Sequence, residues 1–130
     1  MKNKYMDLIE QTFDFPQDEF SVEDNELHLY DIPLMEIIKQ YGTPLKVTYL
    51  PKISSQIARA KRMFNVAMAK VDYKGMYNYC YCTKSSHFSF VLEEALKNDI
   101  HLETSSAYDI HIINALYDGG IIDKDRYIIC

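Results

Sequence analysis

Residues 76–105 read MYNYCYCTKSSHFSFVLEEALKNDIHLETS. Met76 to Thr83 alternates tyrosines with small or polar residues, and an aromatic-rich run of that length predicts a strand. Phe88 to Asn98 then puts Phe88, Val91, Leu92, Ala95 and Leu96 on one helical face. Ile100–Ser105 returns to a short strand. Downstream, Ala107–Tyr117 predicts a helix with Ile110, Ile113 and Leu116 together and Gly119 just past its end. Arg126 to Cys130 begins another strand. The order is therefore strand, helix, strand, helix, strand. Short connections between alternating elements favour a parallel sheet with right-handed crossovers. A doubly wound sheet and a barrel both satisfy that order. No G-x-G-x-x-G or G-x-x-x-x-G-K-[ST] follows the first strand, which weakens a nucleotide-binding sheet.

Upstream, Lys52–Lys70 spaces Ile53, Ile57, Ala60, Phe64, Ala67 and Met68 as the stripe of a long amphipathic helix. Leu45 to Leu50 reads as a strand closed by Pro51. Pro33 to Gly42 has proline near its start and glycine at its end, the asymmetry of a helix. Glu26 to Tyr30 alternates as a short strand. Residues 1–25, acidic and aromatic, read as an irregular or partly helical leader. The division expected is a leader with a short strand over 1–32, then an opening helix and strand–helix units over 33–130. A TIM barrel needs about eight such units and about 250 residues. The chain holds fewer than three, so a fragment with an unfinished sheet is expected.

The 130 residues carry 19 acids and 14 bases, a net charge of −5. That balance argues against nonspecific nucleic-acid binding, which needs a basic surface, and mildly suits a cationic substrate. Cys80, Cys82 and Cys130 are too few and too close for a disulfide scaffold, so a reducing cytoplasm is expected. No apolar run reaches membrane-spanning length, and the opening residues lack a signal-peptide core. Cys80, Cys82 and His87 suggest a metal only in passing, because four ligands at usable spacing are missing; none is expected. His28, His87, His101 and His111 are scattered, and each reads as structural or exposed.

Lys84 is the most informative position. Alternation puts Tyr77, Tyr79, Tyr81 and Thr83 on one strand face and Asn78, Cys80, Cys82 and Lys84 on the other. In a barrel the tyrosines would pack outward against helices. The smaller row would face the interior, with Lys84 at the strand's C-terminal mouth, where barrel enzymes keep their active sites. Burial there would free the amine as a nucleophile suited to Schiff-base chemistry. The competing expectation is a lysine that leaves the strand for water. One strand over, Glu103 could set its carboxylate beside that amine. Ser106-Ala107-Tyr108-Asp109 matches the capping box [ST]-x-x-[DE], which by itself only starts a helix.

Leu29-Tyr30-Asp31-Ile32-Pro33-Leu34 followed by Tyr41-Gly42-Thr43-Pro44-Leu45-Lys46-Val47 resembles the opening segment of the ornithine, diaminopimelate and arginine decarboxylase family. Tyr81-Cys82-Thr83-Lys84-Ser85-Ser86 resembles that family's Y-A-V-K-A-N, and Leu102 to Ile110 resembles its F-D-V-A-S-x-x-E-L. Asp125 to Cys130 is similar to its third barrel strand. The resemblance runs from about residue 27 to the end.

What the resemblance implies is an α/β fold, the N-terminal portion of a pyridoxal-phosphate (PLP) binding (β/α)8 TIM barrel, incomplete in this chain. Lys84 would carry the cofactor. Glu103 would be the acid beside lysine and cofactor, and Ser106 and Asp109 would match the motif's cofactor-binding serine and second acid. Glu103 in place of aspartate is similar to biosynthetic arginine decarboxylases. The implied activity is decarboxylation of a basic amino acid, arginine foremost, for polyamine synthesis, in a homo-oligomer. A stacking histidine, a phosphate loop and a β-domain with a catalytic cysteine would lie beyond Cys130, leaving this piece alone inactive. The alternatives are a non-catalytic or regulatory PLP-barrel homologue, kept open by Ser86 where the family has asparagine, and a diaminopimelate, ornithine or alanine-racemase-like enzyme.

Overall fold

A computed structural model describes residues 19–130, which form two compact units dividing between Val47 and Thr48. Most of the expected leader, residues 1–18, lies outside the described residues. Its last part is not irregular. Strands β1 (Phe20–Glu23), β2 (Glu26–Leu29) and β3 (Ile32–Pro33) make an antiparallel meander. The two connections are Asp24-Asn25, with φ of 48° and 64°, and Tyr30-Asp31, with φ of 49° and 67°. Two consecutive residues at positive φ are what a type I′ hairpin turn demands, and Asp and Asn tolerate that region best among non-glycines. Helix α1 (Leu34–Tyr41) follows, between Pro33 at its N-cap and Gly42 at φ 78°. It packs on β2 and β3. No described side chain of this unit is fully buried.

The strand expected at 45–50 does not form. Residues 45–49 pair with no ladder, and Leu50 already opens helix α2 (Leu50–Lys70). Pro51, expected to close a strand, instead sits in the first helical turn, where a missing N–H leaves no bond unmade.

The second unit continues with β4 (Cys80–Cys82), a 3₁₀ turn (Thr83–Ser85), α3 (Ser89–Leu96), β5 (His101–Glu103), α4 (Ala107–Asp118) and β6 (Ile128–Ile129). The three strands pair in parallel in the order β4-β5-β6, with Cys80 opposite His101, Cys82 opposite Glu103 and Glu103 opposite Ile129. The unit is thus mixed α/β with a parallel sheet, and the sheet does not close on itself among the described residues. The ladder at β4 is much shorter than the eight-residue strand expected. No described helix is long and apolar enough to cross a membrane.

The core forms where α3 and α4 cover one face of this sheet. Leu92, Ala95, Leu96, Ile100, Leu102, Leu116 and Ile122 are buried together, joined by Ile57 from α2. Tyr79 and Tyr81 pack against that cluster, so the tyrosine row does meet the helices. Helix α2 departs from expectation. Only Ile57 of its stripe is fully buried, and Phe64 is 51% exposed, stacking on Tyr77 at 4.2 Å. Phe88 and Ile110, also expected inward, are 52% and 42% exposed. Polar groups fasten α2 to α3 instead. Ser54 Oγ donates to Glu94 Oε1, Asn98 Nδ2 donates to Ser54 Oγ at 2.9 Å, and Lys61 Nζ donates to the Asn98 and Asp99 carbonyls at 3.0 and 2.9 Å.

Leu102 is the test of this core, being fully buried in the middle strand. Leu102→Ala should cost about 3 kcal/mol in urea unfolding, within the range of core truncations. Val22→Ala, at a side chain 71% exposed, should change stability by less than about 0.5 kcal/mol.

Candidate functional site

Thr83 organises the C-terminal edge of the parallel sheet. It is fully buried, and its Oγ1 donates to the Glu103 carbonyl at 3.1 Å, tying the end of β4 to the end of β5. The chain then turns at once through the 3₁₀ segment that carries Lys84. Lys84 is therefore two residues past the end of the strand, exposed rather than buried as expected of an interior-facing lysine. It makes no hydrogen bond or ion pair among the described residues. Its charge nevertheless reaches Glu103.

Glu103, half-buried at the end of β5, shares the open sheet face with Cys82, its register partner. Hydrogen bonding from Cys82 and then Ser105 holds the Glu103 carboxyl below the usual carboxylate range. Partial burial opposes this, the Lys84 charge adds to it, and the Asp109 charge acts against it. The Ser105 hydroxyl donates to Glu103 Oε1 at 3.1 Å. Cys80, one pair further back, has its thiol pushed up by burial and by the Glu103 charge. Lys84 and Glu103 thus lie at one edge of the sheet, the lysine in the turn after β4 and not in the strand row its parity implies.

Ser106 and Asp109 do something more specific than line a pocket. Asp109 is buried, and its Oδ2 accepts the Ser105 N–H at 2.9 Å, the Ser106 N–H at 2.9 Å and the Ser106 hydroxyl at 3.0 Å. These bonds, the Ser105 backbone first, hold its carboxyl below the usual range against the opposing effect of burial. The carboxylate closes the N-terminus of α4 in the manner of a capping box. The Ser105 and Ser106 backbone donors that precede the helix are thereby taken.

Lys84, His87, Ser105, Ser106, Tyr108, Asp109 and Ile112 line an open depression of about 300 Å³. That is at the lower end of small-molecule sites. From the sequence His87 reads as structural or exposed, and Tyr108 is given no role of its own. The signal for His87 was its place three residues after the lysine, just beyond a tight turn. Tyr108 is 82% exposed, in the first turn of the helix that Asp109 caps. The other histidines stand elsewhere. His101 Nδ1 accepts the Tyr127 N–H at 3.3 Å, His28 lies 3.9 Å from Glu23, and His111 is exposed on α4. Cys130 Sγ meets Thr104 Oγ1 at 3.0 Å. No group of three or more His, Cys, Asp or Glu among the described residues is placed to hold a metal ion.

Comparison with protein-family models, curated proteins and solved structures finds no match to this chain.

The Asp109 cap gives a pH signature. A carboxyl held below its unfolded value, about 3.9, contributes stability that is complete above that pH and is lost as pH falls through the folded value. Asp109→Asn should therefore be less stable than the parent at pH 7. The gap should shrink steadily once the pH drops below about 4, as measured by urea unfolding at a series of pH values.

Proposed function

We propose that this chain supplies the cofactor-bearing lysine of a PLP-dependent α-decarboxylase acting on a basic amino acid, arginine foremost, in polyamine synthesis. On this reading the enzyme is a cytoplasmic homo-oligomer, and the parallel unit forms the first strands of its barrel. The observation that supports the proposal is that Lys84, in the turn after β4, and Glu103, the last residue of β5, belong to the same C-terminal edge of a parallel sheet. That edge is where barrel enzymes concentrate their chemistry.

The residues present fit one end of the cofactor. An amine without a competing partner, with a histidine and a tyrosine ring lining the same depression, suits an aromatic aldehyde. At the phosphate end the fit is poorer, because the Asp109 carboxylate already takes the Ser105 and Ser106 N–H groups and sets a negative charge there. When bound, PLP supplies an electron sink for the carbanion left by loss of CO₂. Lys84 would hold it. Glu103, whose carboxyl Cys82 and Ser105 hold below the usual range, would offset the charge of the Lys84 amine. Ser106 and Asp109 would fix the loop between β5 and α4 so that Glu103 keeps its place.

A second reading is a non-catalytic PLP-barrel or regulatory homologue, and the exposure of Lys84 favours it. Release of CO₂ from carboxyl-labelled arginine by the full-length enzyme separates the two.

Incubation with PLP followed by borohydride reduction should leave a pyridoxyl group on Lys84, located by peptide mass spectrometry. Lys84→Ala should lower total label by about tenfold, with Lys84 the dominant site in the parent. A label confined to other lysines overturns the assignment.

A further inference from the structure

Helix α2 carries a surface unrelated to the Lys84 site. Its 21 residues include Lys52, Arg59, Lys61, Arg62 and Lys70 and no acid, although the whole chain has a net charge of −5. Removing these five cations from the 14 leaves nine bases against 19 acids, so the rest of the chain stands at −10. Lys61 is engaged by the Asn98 and Asp99 carbonyls. Arg59, Arg62 and Lys70 have no ion pair among the described residues. Beside them lie large apolar groups in water: Met63 is 59% exposed and Val66 49%.

The helix is also grooved along this side. Ala58, Arg62, Asn65 and Ala69 recur at spacings of three and four residues, so they form one row. A depression of about 580 Å³ opens along this row, lined also by Ile57, Lys61 and Val66 and, from outside the helix, by Asn98. Small side chains in such a row let another helix approach closely, ridge into groove.

We propose that this groove is a docking surface for an acidic amphipathic helix of a partner protein. Carboxylates on one side of that helix would meet Arg59 and Arg62. An apolar side chain would fill the space between Ala58 and Ala69, and Asn65 would offer hydrogen bonds within it. A bilayer fits less well, because membrane-surface helices segregate apolar and cationic faces, whereas Met63 and Val66 are interleaved with the arginines. Nucleic acid fits less well too, since a phosphate backbone brings no apolar side chain to fill the space between Ala58 and Ala69.

The test uses the full chain and a fluorescein-labelled synthetic helix bearing glutamates on one face and leucines on the other. Its counterpart has lysine at every glutamate. The acidic helix should bind at least tenfold more tightly than the basic one, and binding should weaken severalfold between 50 and 300 mM salt. Arg59→Glu with Arg62→Glu should lose at least tenfold, and Val66→Ser about threefold. Both variants should keep the parent far-UV spectrum, as the altered side chains are exposed. Lys39→Glu, on α1, should bind like the parent. Equal binding of the two helices, or none, overturns the proposal. So does cosedimentation with anionic vesicles when the acidic helix fails to bind, or self-association of the chain through these same arginines.

Discussion

The pairing of β4 with β5, locked by the buried Thr83 hydroxyl on the Glu103 carbonyl, is the constraint on which the second unit depends. Parallel strands present corresponding ends side by side, so one register decides several positions at once. It sets Tyr81 beside Leu102 toward the helices and Cys82 beside Glu103 away from them. It also delivers the 3₁₀ turn with Lys84 to the same edge as the capped start of α4. Shifting the register by one residue would send Tyr81 outward and leave the core without its sheet face.

Much of this unit was legible because its signals are periodic. The helical faces of α3 and α4 put Leu92, Ala95, Leu96 and Leu116 inward, and the two-residue alternation of the tyrosines predicted which strand face meets the helices. Ser106 and Asp109 were recognisable as a cap from spacing alone. Exposure was not legible. A periodic stripe says which residues of α2 face one way, not whether another element covers them, and Phe64 ends in solvent against Tyr77. Lys84 differs for a related reason: the ladder stops at Cys82, and a tight turn rotates the lysine out of strand geometry.

The first unit was misread at the level of turns. Asp24-Asn25 and Tyr30-Asp31 contain no glycine, so the usual hairpin signal is missing and the acidic, aromatic run over 1–25 suggests an irregular or partly helical leader. Leu45–Leu50 failed in the opposite direction. Its alternating apolar residues are good strand formers, yet β propensity describes a fit to a neighbouring strand, and none pairs with it. Pro51 was equally compatible with a strand's end and a helix's first turn, and the helix beginning at Leu50 decided between them.

The two tight turns of the meander bear on the order of events during folding. Every ladder contact in β1–β3 joins residues close together in the chain, and such hairpins close on the order of 1–10 μs. The parallel sheet must wait for β5, separated from β4 by a whole helix, and then for β6. Non-local pairing of that kind is slower because chain entropy is lost before contacts compensate it. During synthesis the meander can take shape while the strands of the larger unit are still being made, so its two hairpins would be in place before the parallel sheet has all its strands.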